Sequence, residues 1–539
     1  MSCYVCLNAV FFKLDVRQFV KYTLSMDDIN KNKRLTINIV ATCISFIVSF
    51  GISFFLTPFI VKSLGAAAYG FVGLTNTIIS YTELVTVALN ALAGRFITIE
   101  YVRGRIDNAN KYFSSVFFSN LFLCGIILLI MGGCIIYLER IFDIPIELLS
   151  DVKALLGILV VNTIIGLFMN VFAIATFIKN RLELSSVRNI IASIIRGAVL
   201  FALFGFLRPH LWYIGVSGML YILYTSYANF KYTKQLTPEL KIHINNYDLR
   251  KVKELLISGM WSVFSRLGVI LGSGLDLVIA NLFIGATAMG VFSLTKNVPT
   301  LLLSLFSSIS AVFAPLLTTL YANGDKLALQ NELHKSIRIL GFISSIPIIC
   351  LFVFGNNFYS LWIPGEDSGK LQLLTILSCI GLIVSIPLDA LWNIFVISNK
   401  LKYATLCNFS VNFLVFITVL LSMIFVDNIE NRLLVLAGTR SFFDLIKSLV
   451  FLPLYSSYCL NLKKNTFYKS IFKVLSCFLL GLIIVSVIKH LFSITTWFSL
   501  IQSVCISSVL CLVLNYLIIL GRNDRLFILQ KVKHKINMF

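Results

Sequence analysis

Charged side chains are scarce in this sequence: 13% of its 539 residues are Asp, Glu, Lys or Arg, against 58% hydrophobic, with a mean hydropathy of +0.91. A soluble domain of ordinary composition carries about a quarter charged residues, so a soluble fold is excluded. The short alternating segments of a transmembrane barrel are missing too. What stands in their place are apolar runs of about twenty residues, enough for a helix to cross a hydrocarbon core of about 30 Å.

Motifs that carry chemistry are equally scarce. There is no Gly-rich phosphate loop, no metal-ligand cluster and no nucleophile–base pairing. The five His residues, His210, His243, His334, His490 and His534, are scattered at loops and helix ends. Of the twelve Cys residues, most, such as Cys43, Cys124, Cys134, Cys350, Cys407 and Cys505, lie inside apolar runs, where Cys behaves as a small hydrophobe. The one C-x-x-C, Cys3 and Cys6, has no second pair and no His partner, a weak basis for zinc or redox chemistry. No metal and no cofactor is expected. The net charge of +21 does not point to nucleic acid either, because the basic residues form short clusters between apolar runs rather than one basic domain.

A cleavable signal peptide is not apparent. Residues 1–30 mix Phe11, Phe12, Leu14, Val16, Phe19 and Val20 with Lys13, Arg17 and Lys21. That suits a short interfacial helix, or a stretch upstream of a later start at Met26; the second reading is preferred for residues 1–25.

Apolar stretches bounded by charges place fourteen spans. Twelve lie near 38–61, 72–94, 112–137, 154–178, 189–207, 211–230, 256–283, 290–320, 337–357, 372–397, 404–426 and 433–458, and a last pair near 471–488 and 496–520. With the N-terminus inside, and with Arg338 and Lys473 counted at the cytoplasmic ends of their spans, 33 of the 45 Lys and Arg fall in cytoplasmic segments, 7 in outer loops and five within spans. Missing one span would move every later loop to the other side, so this bias supports the count and puts both termini in the cytoplasm. The expected divisions are an N-terminal segment 1–35, an N-lobe 36–230, a basic linker 231–254, a C-lobe 255–458, helices 13 and 14 within 470–520, and a basic tail 521–539.

The lobes repeat one another. LGAAAYGFVGLT at 64–75 aligns with IGATAMGVFSLT at 284–295, matching at Gly65/Gly285, Ala66/Ala286, Ala68/Ala288, Gly70/Gly290, Leu74/Leu294 and Thr75/Thr295. The same register pairs Ala91 with Ala311, Thr98 with Thr318, Tyr101 with Tyr321 and Gly104 with Gly324. One residue is then lost, and Pro145 pairs with Pro364, Asn180 with Asn399, Leu182 with Leu401 and Asn189 with Asn408. A repeat of six spans keeps both copies in the same orientation, which predicts a pseudo-two-fold axis along the membrane normal and a cavity between all-α lobes.

This layout, with NIVATCISFIVSFGISFFLTPFIVKSLGAAAYGFVGL at 38–74 and its TP and LG-x-x-x-YG pattern, resembles the multidrug/oligosaccharidyl-lipid/polysaccharide (MOP) flippase superfamily. Within it the chain is most similar to the flippases of lipid-linked oligosaccharides for O-antigen or capsule. The acidic residue usual inside LG-x-x-x-YG is absent, since Ala66, Ala67 and Ala68 fill those positions. The resemblance implies a transporter rather than an enzyme, in the bacterial cytoplasmic (inner) membrane. The implied partners are a polyprenyl-pyrophosphate-linked oligosaccharide, the lipid bilayer, and the polysaccharide polymerase and chain-length machinery. It further implies that helices 1, 2, 7 and 8 line the central cavity, with helices 13 and 14 offering a groove for the polyprenyl tail.

Ionisable groups within spans cost roughly 2.5–3.5 kcal/mol each at a helix centre on insertion scales, so each needs a partner, water or a function. Glu83, Arg266, Asp276 and Lys296 fall at helices 2, 7 and 8. Arg266 and Lys296 are candidates for the anionic head group, since Arg offers bidentate hydrogen bonds and Lys a point charge; mutual neutralisation with Glu83 and Asp276 is the plainer alternative. Glu83 or Asp276 is also the candidate for coupling to a proton or sodium gradient. Arg440, Asp444 and Lys447 are spaced to pair along one face of helix 12. Arg196, two turns from the cytoplasmic end, suits snorkelling, and Asp389 suits pairing with Arg196 or Lys400. Two rivals remain: a multidrug and toxin extrusion cation antiporter, which the balanced charges and extra helix pair disfavour, and a membrane polysaccharide polymerase or ligase, which the short outer loops disfavour.

Overall fold

The computed structural model describes residues 31–179, 181–398 and 400–519; residues 1–25, the tail 521–539 and the Asn180/Asn399 pair lie outside them. The described residues form helices and connecting turns, without a strand. We number the spans in chain order. One continuous helical run, Lys31–Asn90, breaks at Gly65 into α1 (31–64) and α2 (66–90). There follow α3 (Ile106–Ile136), α4 (Ile146–Met169, continued by Ile174–Ile178), α5 (Leu182–Phe206) and α6 (Trp212–Leu236). Next come α7 (Leu249–Val269, continued by Asp276–Phe283), α8 (Ala286–Ser310, continued by Ala314–Ala322) and α9 (Lys326–Trp362). Then α10 (Ser368–Cys379, ending with Trp392–Ile397), α11 (Leu401–Phe425) and α12 (Ile429–Ile446, continued by Leu452–Cys459). The last pair is α13 (Tyr468–Leu491) and α14 (Trp497–Ile518).

Among the described residues, ten stretches are long and apolar enough to cross a membrane. The first, Phe50–Val102, holds two spans across Gly65, and α6, α10 and α12 complete the fourteen. The chain is thus an all-α, multi-pass membrane protein. Several helix starts are capped by the residues one expects: Asp325, Asp367 and Asn428 accept backbone N–H groups at α9, α10 and α12, and Thr496 and Ser499 form a capping box at α14, satisfying donors that a helix start leaves open.

The repeat is visible in the backbone. Gly65 and Gly285 have φ of 86° and 117°, and Gly104 and Gly324 have φ of 75° and 71°, values an L side chain adopts only with strain. Matching 3₁₀ turns interrupt α4 at Asn170–Ala173 and α10 at Asp389–Leu391. Behind them the amide of Arg181 bonds to the carbonyl of Thr176, and that of Lys400 to the carbonyl of Phe395.

The chain divides into two compact units. One holds residues 31–56, 88–135 and 154–259; the other holds 57–87, 136–153 and 260–519. In the first, Ile97, Phe113, Val171 and Leu255 build a core. The segment after α6 is stitched to α3 there. Asn110 bonds to the backbone of Glu239 and Lys241, Ser114 to Lys241 and His243, and Ser115 to both backbone groups of Asp248.

In the second unit, Leu333, Leu391, Phe395 and Phe467 form one core, and Phe306, Ile349, Phe354 and Val485 another. α13 packs on α9 where Gly341 faces Val474 and Gly481 faces Ile349. Asn515 of α14 donates to the Phe342 carbonyl and the Ser345 hydroxyl of α9. Helices α2 and α8 cross at their repeat-equivalent glycines: a Cβ on Gly70 would lie 2.7 Å from the Cα of Gly290, and one on Gly290 2.3 Å from the Ala66 carbonyl oxygen.

Candidate functional site

Two π-turns shape the site in the second unit. α7 loosens at Ile270–Gly274 and α12 at Lys447–Phe451; such widened turns upset the regular i→i−4 pairing and recur at functional sites. At the α7 turn, three successive carbonyls are taken by side chains. Gly272 accepts from Arg440 (3.5 Å), Ser273 from Lys296 (2.9 Å) and Gly274 from the Tyr81 hydroxyl (2.7 Å). α11 presses on the same turn, for a Cβ on Gly272 would overlap the Asn412 amide oxygen at 2.0 Å. The run LGSG at 271–274 permits this approach.

A cavity of about 530 Å³ opens beside these turns. Its lining includes Asp276, Lys296, Asp389, Arg440, Asp444 and Lys447, with Asn408, Asn412, Phe292 and Trp392. Lys296 donates to Asp276 at 2.8 Å, and Asp276 is 6% exposed. Asp444 accepts from Lys447 at 2.6 Å and lies 3.5 Å from the Nε of Arg440, while Lys447 also donates to Asn408 at 3.1 Å. Asp389 lies beside Ser310. Three carboxylates face three cations, so the lining is ionic, densely hydrogen-bonded and formally neutral. Such a surface binds neutral polyhydroxylated groups through directed hydrogen bonds.

Glu83 and Arg266 make their own ion pair at 2.8 Å, with the guanidinium 3.5 Å from the Ser80 carbonyl. Neither is among the residues lining this cavity. Of the four charges expected to face one space, Asp276 and Lys296 thus join the α12 trio, while Glu83 and Arg266 stand apart as a pair. The spacing of Arg440, Asp444 and Lys447 does produce pairing along α12. Asp389 has Ser310 as a polar neighbour, and the Lys400 ammonium lies over the Tyr458 ring, 5.0 Å from its centroid.

Arg196 sits in the first unit. α5 begins at Leu182 rather than near 189, because Arg181 and Glu183 pair in buried positions and let the helix start earlier. Arg196 is therefore fourteen residues in, roughly 21 Å along the axis, near mid-membrane and too deep to be two turns from an end. The same shift draws Arg188 into the span, where it donates to the side-chain oxygens of Asn189 and Asn229. Charge-bounded span reading counted Arg188 as loop. The repeat match of Asn189 with Asn408 was the available signal, for each of these asparagines accepts from a cation.

A family model described as polysaccharide biosynthesis protein matches residues 35–321, more than half of the chain. The uncharacterized membrane protein EpsK of Bacillus subtilis (strain 168) is 30% identical over 503 residues, 93% of this chain and 98% of that protein. The chain belongs to the polysaccharide biosynthesis family of the MOP flippase superfamily. It is accordingly a MOP-type transporter and not an enzyme. Solved structures carry the same fold at low identity. The lipid II flippase MurJ in an inward closed conformation matches with a TM-score of 0.64 at 14% identity, covering 89% of this chain and 98% of that one. An inward-facing multidrug resistance MATE transporter of the MOP superfamily matches with 0.63 at 14%, covering 79% and 98%.

Proposed function

We propose that this chain moves undecaprenyl-pyrophosphate-linked oligosaccharide units across the bacterial cytoplasmic membrane by alternating access, for O-antigen, capsule or exopolysaccharide assembly. The observation that carries this reading is the neutral, ionic cavity at the two π-turns in a member of a polysaccharide biosynthesis family. A sugar head group cannot enter hydrocarbon without losing its hydrogen bonds to water, and each unmet polar group costs several kcal/mol there. The cavity offers replacements. Asn408, Asn412 and the Lys296–Asp276 and Arg440–Asp444–Lys447 ions supply donors and acceptors, and Trp392 and Phe292 supply flat apolar faces. A polyprenyl tail stays in lipid throughout.

In this reading Lys296 and Arg266 exchange their carboxylates for substrate during the cycle. Glu83 or Asp276, released at that moment, is where a proton or sodium ion couples transport to a gradient. Reconstitution with defined lipid-linked oligosaccharides tests the proposal. Transport by wild type and large losses in Arg266→Ala and Lys296→Ala, with folding retained, are the expected results. Unchanged transport in both variants removes these residues from the site. Exchange of organic cations with no movement of lipid-linked oligosaccharide would favour the antiporter and sink the flippase.

A further inference from the structure

At the site of the second unit each of four cations has a carboxylate beside it: Arg266 has Glu83, Lys296 has Asp276, and Arg440 and Lys447 share Asp444. The first unit breaks that rule. Arg188 is held only by neutral asparagine oxygens, and among the described residues Arg196 has no hydrogen-bonding or carboxylate partner at all. Tyr221 of α6 lies within electrostatic range of both guanidiniums.

The face of α5 that carries Arg196 is the inward one. Ala192, Ser193 and Leu200, three or four residues away, are buried, whereas Ile194 and Phe201 are 42% and 50% exposed on the opposite side. Gly197 packs against Ile52 of α1. Yet Arg196 itself is exposed. An exposed guanidinium on an inward face at mid-membrane opens onto water inside the protein, because on the lipid side it would be too costly. The pair therefore holds two positive charges that no carboxylate among the described residues is seen to pair with.

We propose that Arg188 and Arg196 form an anion site for the pyrophosphate of the lipid-linked substrate. A pyrophosphate diester carries two negative charges, one per phosphate, which matches the two guanidiniums. Each can bind phosphate oxygens bidentately. This assignment rests on the flippase reading above and adds α5 to the elements that meet the substrate's head group.

The test measures binding to the full chain in nanodiscs, using undecaprenyl pyrophosphate, inorganic pyrophosphate and phosphatidylglycerol as separate probes. Arg188→Gln and Arg196→Gln are each expected to weaken undecaprenyl pyrophosphate binding by about tenfold or more, the size of a lost charged hydrogen bond, with Ile194→Gln as an α5 control that leaves it unchanged. Inorganic pyrophosphate binds more weakly but with the same arginine dependence. Undiminished binding in both Gln variants overturns the site. So does a phosphatidylglycerol effect of equal strength and equal arginine dependence, which would make this a general phospholipid contact. If the Gln variants do not fold, Arg188→Lys and Arg196→Lys decide, because a retained charge without the bidentate fork weakens binding, and equal binding refutes the proposal. Flipping is read separately. A wild type that binds through these arginines but moves no oligosaccharide sinks the flippase and leaves the site standing.

Discussion

At the scale of single residues, the ion pairs raise the question whether Lys296 and Asp276 serve structure or transport, and a double-mutant comparison separates the two. Removing one partner of a buried pair leaves an uncompensated charge, at a cost of roughly 3–5 kcal/mol when both are fully buried. Lys296 is about a quarter exposed, so solvent screening lowers the expected loss to about 2–3 kcal/mol for Lys296→Met alone. The double variant Lys296→Met, Asp276→Asn removes both charges and is expected to recover most of that stability in a thermal-unfolding assay. A structural pair would recover transport along with stability. A substrate pair would not, and recovery of both in the double variant would strip Lys296 of its role. The charges themselves were readable in the sequence as exceptions within apolar runs. Their pairings were not, because hydropathy locates a residue along its helix and says nothing about which helix lies beside it. Arg440, Asp444 and Lys447 were the exception, since their partners share one helix and spacing alone brings them together.

Elements pose a different problem, because here shape rather than charge decides. The glycines at 65, 285, 104 and 324 announce breaks that the backbone makes at just those positions, and the repeat gave each break a counterpart. The crossing of α2 and α8 follows from glycine for another reason, close approach. Gly290→Ala sets a Cβ 2.3 Å from a backbone carbonyl, which cannot rotate aside, so the helices must separate at a cost of about 1–3 kcal/mol. Gly125→Ala in α3, with nothing within 4 Å of its added Cβ, is the matched control. A lower unfolding temperature for Gly290→Ala than for Gly125→Ala is expected, and equal temperatures would show that the crossing is loose. The π-turns in α7 and α12 left no comparable signature. A single inserted residue barely disturbs the apolar pattern, so a turn that builds the cavity looks in the sequence like plain helix. The segment after α6 also hid its structure, reading only as a basic linker. Its anchorage to Asn110, Ser114 and Ser115 predicts that Asn110→Ala with Ser114→Ala speeds tryptic cleavage at Lys241 several-fold, through loss of roughly 1 kcal/mol per hydrogen bond. Unchanged cleavage would mean the strap is held by packing alone.

For the molecule as a whole, the property that matters most is orientation, since a flippase that collects its substrate in the cytoplasm must present its faces in a defined order. The bias of 33 Lys and Arg against 7 predicts that order through a rule about short loops, and it is sensitive to parity: one span too many or too few reverses every later loop. Four exposed positions test it in two halves. Lys241 follows α6 and Arg208 precedes it, while Lys464 precedes α13 and Ser493 follows it. In a background with the twelve cysteines replaced, Arg208→Cys and Ser493→Cys are expected to react with a membrane-impermeant maleimide in intact cells. Lys241→Cys and Lys464→Cys should react only after permeabilisation. Agreement in both halves puts Lys464 inside and Ser493 outside, so that α14 returns the chain to the cytoplasm. If instead the first pair behaves as expected and the second is inverted, a span between 249 and 459 has been miscounted. The parallel repeat, which requires six spans per copy, then fails with it, and the pseudo-two-fold relation between Gly70 and Gly290 needs another origin. Inversion of all four would keep the repeat intact and reverse the protein in the membrane. The strap at α3 would then lie outside, at odds with the basic residues that surround it.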